Sequence, residues 1–496
     1  MKKLLFALAG LAAFAPEAMA AQQPNVIVII LDDLGWGDVS YHMDESGRDV
    51  DIPTPTIDAL VGDGLELRQF YASPDGFQTR AALLTGRWPL RYGFQGIVGK
   101  SRDEEGLPVA EKTLAEELQK LGYGTYLLGN WGLGTDDKYI PTDRGFDHHY
   151  GSRGDAVDQY GHCDPRAKLD WYRDDALDYT DGWAPDLLVD EAIKVMHEQQ
   201  GKKPLYIQLA LPSPHKPYQA PVKYLAMPQF QTAEKPERRS YQATLAATDD
   251  SLARLVAEVD KMGLAGDTVY VFLSDNGGDS KNGMADNTPL RGSSGPDQTE
   301  RVYDGALRVP AAITWHGTIK PGVLEAPTQA VDLFPTILAI AGGSPSTDID
   351  GLDLRRSSSF ATRSMPLELS KRYVVIRSGK WQLVAKREDS TTTSTTGAKP
   401  GAPGKPATLQ STLADRMTAL MSDDPATWTP TTTELYDIDQ DPTQTTNLAA
   451  ANPDVVNQLI DEIREYLKLA QPPGKPPTKG GGSDTSSGNT GASGLF

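Results

Sequence analysis

Residues 25–31 read Asn-Val-Ile-Val-Ile-Ile-Leu, an apolar run with no polar alternation. A strand of that kind has both faces covered, as the central strands of a parallel sheet do. Similar runs recur at 125–128, 205–211 and 268–273. Between them, apolar residues return at helical spacing over 113–121, 187–199 and 240–262. Strands alternating with helices predict an α/β fold: a mostly parallel central sheet sandwiched by helices.

The pattern changes after about Gly343. Residues 372–376 and 381–385 alternate as a hairpin around Ser378-Gly379, and a helical pattern occupies 453–469. These elements predict a smaller C-terminal α+β subdomain over 346–470, following a main domain over 24–345. Residues 388–412 are rich in Ser, Thr, Pro, Gly and Lys and lack large apolar groups, so they are expected to form a mobile insertion. Residues 471–496 read as a Gly/Ser-rich tail.

The opening residues set the expected compartment. Lys2 and Lys3 precede an apolar run, and Ala18-Met19-Ala20 supplies a small-residue cleavage site, so 1–20 read as a signal peptide and the protein as periplasmic or secreted. No other stretch approaches the roughly 20 apolar residues of a membrane-spanning helix. The chain has 496 residues, 39% of them hydrophobic, enough for a large core. Its 48 Lys and Arg stand against 67 Asp and Glu, a net charge of -19. Nucleic acid is therefore excluded as a default partner, and hard cations are favoured. The sole cysteine, Cys163, makes an internal disulfide or a thiolate-rich metal site impossible.

Ligands of open α/β sheets bind beyond the carboxyl ends of the strands. The four buried runs lead to Asp32-Asp33, Asn130, Ser213-Pro214-His215 and Asp275-Asn276. Taken singly, such acids commonly cap turns or helices. Two adjacent carboxylates at one strand mouth, with a third at another, repel unless a cation lies between them. Asp32, Asp33, Asp275 and Asn276 thus predict a metal site whose oxygen donors suit Ca²⁺, or Mg²⁺ in a tighter cage. Next to it, the turn 73–76 leads into a helical stretch over 79–87, where Arg80 adds a planar fork for an anion at the helix start. His148-His149 and His162-Cys163 lack the spacing of a zinc site. Trp36, Trp131 and Trp183 are expected to be packed, whereas Trp171 and Tyr172, in a polar stretch, are the better candidates for stacking on sugar.

These strings resemble, in order, those of the type I, formylglycine-dependent sulfatases of the alkaline phosphatase superfamily. The likeness runs from Pro24-Asn25-Val26 through Asp32-Asp33-Leu34-Gly35-Trp36-Gly37-Asp38, Thr54-Pro55-Thr56-Ile57-Asp58 and Arg80–Arg87. It continues through Ser213-Pro214-His215-Lys216-Pro217, Leu273-Ser274-Asp275-Asn276-Gly277-Gly278, Arg308-Val309-Pro310 and Asp332-Leu333-Phe334-Pro335-Thr336 to Glu434-Leu435-Tyr436-Asp437. The resemblance implies that Asp32, Asp33, Asp275 and Asn276 are calcium ligands and that Arg80 and His215 contact the substrate. It also implies a Cys or Ser, oxidised to formylglycine, where this chain has Gly76.

Glycine cannot become an aldehyde, so no formylglycine is expected. Gln78 stands where the family has proline. Asn130 and Gly132 replace the expected lysine and histidine, and Ser294 replaces a sulfate-binding lysine. Loss of a covalent nucleophile costs about 10⁶ in turnover in a comparable enzyme. The first expectation is a secreted, calcium-binding pseudoenzyme that binds a sulfated or otherwise anionic glycan or ester at Arg80, Asn130, His215 and Ser294. A second is an active ester hydrolase in which water or Asp75 replaces the nucleophile and His215 donates a proton. Against a catalytic Asp75 stands the ordinary use of Asp-Gly as a turn. The third is a scaffold whose cation only stabilises the fold.

Overall fold

The computed structural model describes residues 23–94 and 106–471, apart from 46, 282, 346–347, 357–359, 371, 388–424 and 426–427. Residues 1–20, read above as a signal peptide, the expected insertion 388–412 and all of the expected tail but Gln471 lie outside the described residues.

Strand β1 (Asn25–Asp32) sits centrally in a mixed sheet of ten strands among the described residues, as its unbroken apolar run predicts. Helix α1 (Gly76–Thr85) and strand β2 (Gly124–Gly129) follow, then helix α2 (Ala184–Gln199), strand β3 (Leu205–Pro214), helix α3 (Pro236–Lys261) and strand β4 (Thr268–Ser274). Strand β1 pairs in parallel with β3 on one side and β4 on the other, and β2 extends the parallel set beyond β3. Strand β5 (Ala311–Trp315) closes against β4 in the antiparallel sense. Four neighbouring strands therefore direct their carboxyl ends to one edge.

Separate apolar clusters cover the two faces. Val26, Val28 and Ile30 face α1, whose Ala81, Leu83 and Leu84 are buried with them. Ile27, Ile29 and Leu31 face α2 and α3, through residues such as Leu188, Val195, Leu245 and Leu252. Burying each such side chain stabilises the fold by about 1.5–3 kcal/mol, which explains why polar alternation is absent from β1.

The C-terminal elements are β6 (Ser364–Leu369), β7 (Tyr373–Ser378), β8 (Trp381–Lys386) and β9 (Thr432–Asp437), in one antiparallel sheet, with helix α4 (Pro453–Leu469) packed on it. The hairpin pairs Ser378 with Trp381, as the alternation predicts. This sheet docks on the main body through a shared cluster containing Tyr71, Tyr303 and Leu307 on one side and Met365, Val375 and Tyr436 on the other. Buried Arg377 reinforces the contact, donating to Gln69 Oε1 at 2.7 Å.

Trp36, Trp131 and Trp183 are packed, and so is Trp171, which is fully buried and stacked on His162 with ring centroids 4.3 Å apart. The expectation that Trp171 meets sugar is therefore overturned. The ring is buried beneath a stretch whose flanking residues 165–168 and 175–177 are exposed, and Asp158 ties that stretch together by accepting from the backbone N–H groups of Gly161 at 2.6 Å and Cys163 at 3.0 Å. Tyr172 is half-buried, with the Arg153 guanidinium over its ring.

Candidate metal centre and anion pocket

The site forms where β1, β3 and β4 end. In a regular strand Asp32 and Asp33 would point to opposite faces. The ladder between β1 and β3 shifts register after Leu31, and Asp33 adopts a left-handed backbone with φ 64°. This break in alternation turns both carboxylates toward one cavity. Ligand atoms of Asp32, Asp33 and His215 lie within 4.8 Å of one another. A non-glycine residue in that region costs of order 1 kcal/mol, and such strain concentrates at functional sites.

Asp275 and Asn276, at the end of β4, complete the cradle. The Asp33 backbone N–H lies 3.4 Å from Asp275 Oδ1, and the Asn276 amide donates to Asp33 Oδ1 in a short contact. Asn130, at the end of β2, donates to Asp32 Oδ2 at 3.1 Å and accepts from Ser152 Oγ at 2.8 Å. Arg80, from the second turn of α1, forms a close ion pair with Asp275 Oδ2. The geometry thus brings Asp32, Asp33, Arg80, Asn130, His215, Asp275 and Asn276 together, while Asp75, Gly76 and Ser294 line the same pocket of about 340 Å³.

Burial pushes the Asp32 carboxyl up, and the attraction of His215 only partly offsets this. Burial followed by the charge of Asp32 lifts Asp275 well above the usual carboxylate range despite Arg80. Burial pulls the His215 imidazole down, but Asp32 and Asp33 outweigh it and raise the group to about 9, so the ring is cationic at neutral pH. Its Nε2 is 3.6 Å from Asp33 Oδ2, and Nδ1 donates to the Lys216 carbonyl at 2.6 Å.

These carboxylates are short of positive charge. Six line the pocket (Asp32, Asp33, Asp75, Asp155, Asp275 and Asp279) against four cations (Arg80, His215, Lys216 and Arg301). A divalent ion restores balance and relieves the two strained acids. The oxygen-rich donor set fits a hard cation, with the Asn276 amide turned over to offer its oxygen.

The room beside Gly76 is filled by protein. A methyl group there would run into the Asp275 carboxylate and lie 3.1 Å from Arg80 Nη1. At Gly132, where φ is 69°, an added Cβ would lie 2.7 Å from Arg80 Nη2. The Arg80 guanidinium therefore spans the space between two positions that the resemblance fills with catalytic side chains. Asp75 is held too, since its Oδ2 pairs with Arg301 Nη2 at 2.5 Å.

Arg301, Lys216, Asp155 and Asp279 were not assigned to the site from sequence. Asp279 follows Asp275-Asn276-Gly277-Gly278 closely enough to have been found by spacing. Lys216 lay unassigned in the His215 string. Arg301 is brought in by a loop closure that leaves no periodic signal. Of the remaining histidines considered, His148 pairs with Asp174 at 2.7 Å and Glu191 at 3.4 Å, a carboxylate network and not a soft-metal site.

The model of the Sulfatase family matches residues 24–343. Arylsulfatase A of Homo sapiens is 30% identical over 492 residues, covering 90% of this chain and 89% of that protein. Arylsulfatase J of Mus musculus is 28% identical over 496 residues, covering 93% of this chain and 79% of that one. Among solved structures, the crystal structure of Ps i-CgsB in complex with k-i-k-neocarrahexaose superposes with TM-score 0.74 at 24% identity, covering 92% of this chain and 96% of that chain.

Proposed function

Because this chain belongs to the sulfatase family, we propose that it is an exported glycan-binding member that holds a divalent cation, calcium by preference, and captures a sulfate ester or similar anion without formylglycine-dependent hydrolysis. One observation carries the reading. Position 76 is glycine, which has no side chain to supply a nucleophile.

Asp32, Asp33, Asp275 and Asn276 would hold the cation, which when bound supplies positive charge toward an anionic oxygen. Arg80 supports capture by placing its charge at the pocket floor, and His215 adds a second donor at its rim. Two lysines expected from the resemblance are missing. At about 1.5–3 kcal/mol for a hydrogen bond to a charged group, their loss removes roughly 3–6 kcal/mol of anion stabilisation. Capture of a whole ester survives such a loss better than stabilisation of a transition state does. An Asp75 nucleophile would first have to leave Arg301, which weighs against the hydrolytic alternative. Export rests on the signal-like residues 1–20.

Sulfate release measured on a panel of sulfated mono- and oligosaccharides tests the reading, alongside melting shifts with the same sugars. The expected result is saturable, chelator-sensitive stabilisation with no free sulfate. Catalytic release of sulfate from any saccharide that shifts the melting transition would refute it.

A further inference from the structure

Arg301 belongs to none of the strings that carry the family resemblance, yet it forms part of the pocket wall. A closed loop excursion puts it there. The Asp297 side chain accepts from the Thr299 N–H at 2.9 Å, and its carbonyl accepts from the Glu300 N–H at 3.0 Å. The Ser293 N–H then donates to the Glu300 carbonyl at 3.3 Å. The chain leaves after Ser293 and returns at Glu300, so residue 301 arrives beside residue 294. Arg301 Nη1 lies 3.5 Å from the Ser294 carbonyl oxygen. A cation missing at position 294 is thereby supplied to the same wall from position 301.

Asp75 gives an independent observation. It is the N-cap residue of α1, but its side chain makes no capping bond. An Asp in that place ordinarily satisfies free N–H groups of the first helical turn. Here the carboxylate is committed to Arg301 at 2.5 Å. The same Asp75 oxygen accepts from Gln78 Nε2 at 3.4 Å, and a guanidinium fork of this kind can grip an oxyanion through two parallel bonds. Both side chains are largely buried, at 9% and 17% exposure, so solvent screens them little.

We infer that Arg301 receives the anionic oxygens of the ligand, and that Asp75 is a built-in stand-in for that anion which the ligand must displace. This rests on the anion-capture reading above and names the residue that performs it. The ligand class is a glycan sulfate ester or an oxyanion of similar shape. Asp75 lowers the affinity of the empty pocket and keeps the buried guanidinium paired until a ligand arrives.

Calorimetric titration of glucosamine 6-sulfate and of inorganic sulfate into the full chain, in calcium-containing buffer, tests this. Wild type is compared with Asp75→Asn, Arg301→Ala and Arg301→Lys, each checked for a cooperative melting transition. Asp75→Asn should bind about tenfold tighter than wild type, Arg301→Ala about tenfold weaker, and Arg301→Lys in between. Unchanged affinity in both Asp75→Asn and Arg301→Ala overturns the inference, as does absence of binding in all four proteins. Binding by Asp75→Asn alone supports the roles of Arg301 and Asp75 while defeating capture by the natural protein, so the two failures are distinguishable.

Discussion

At position 76 the missing side chain has left no vacancy. An added Cβ there would run into the Asp275 carboxylate and lie 3.1 Å from Arg80 Nη1, and one at Gly132 would lie 2.7 Å from Arg80 Nη2. Under the proposed reading, restoring a nucleophile at this one position is not expected to restore hydrolysis. Gly76→Cys is expected to cost about 1–3 kcal/mol through overpacking and to yield no sulfate release, as denaturant unfolding and an aryl-sulfate assay would check. Full stability together with turnover would mean that Arg80 moves aside readily. At this scale the sequence was legible where chemistry is local. Asp32, Asp33, Asp275 and Asn276 follow buried apolar runs, and a run that ends in acids announces a strand mouth. Trp171 was misread because exposed polar residues on either side of it in sequence do not report the burial of the ring between them.

The apolar runs of β1, β3 and β4 were readable because strands covered on both faces cannot tolerate polar residues, and the fold class followed from their alternation with helices. The path of residues 293–301 was not readable, because hydrogen bonds across a loop have no period. Strand β6 brings a further consequence. Its ladder with β7 is irregular between Pro366 and Glu368, and Glu368 is buried there. Burial raises its carboxyl from 4.5 to about 7, with Arg301 pulling it down and Asp75 pushing it up. A group that holds its proton longer in the folded chain than in the unfolded one destabilises the fold as pH rises between those two values. Glu368→Gln should therefore remove a downward slope in stability between about pH 4.5 and 7 and leave the variant more stable at pH 8. Urea titrations at several pH values would show it, and parallel pH profiles for the two proteins would contradict it.

Over the whole molecule, the net charge of -19 and the acid excess in the pocket point the same way. Without a cation, Asp32 and Asp275 are raised carboxylates, so their contribution to stability falls as pH rises above the ordinary carboxylate range. With a cation they must be ionised, and metal affinity falls as pH drops into that raised range. Calcium is thus expected to raise the melting temperature by several degrees at pH 8 and by much less at pH 5, and a chelator should abolish the difference. Scanning calorimetry at both pH values reads this directly. A calcium response that is equal at the two, or greater at pH 5, would count against carboxylate ligation.

In the proposed reading, a cation cradle and an anion pocket persist where the covalent chemistry of the family has closed. Isothermal calorimetry of the calcium-loaded protein with a sulfated oligosaccharide reports binding and turnover in one trace. The heats are expected to saturate near one ligand per chain, return to baseline after each injection and vanish with chelator. Sustained heat flow accompanying continued sulfate release, or binding indifferent to the chelator, would contradict it.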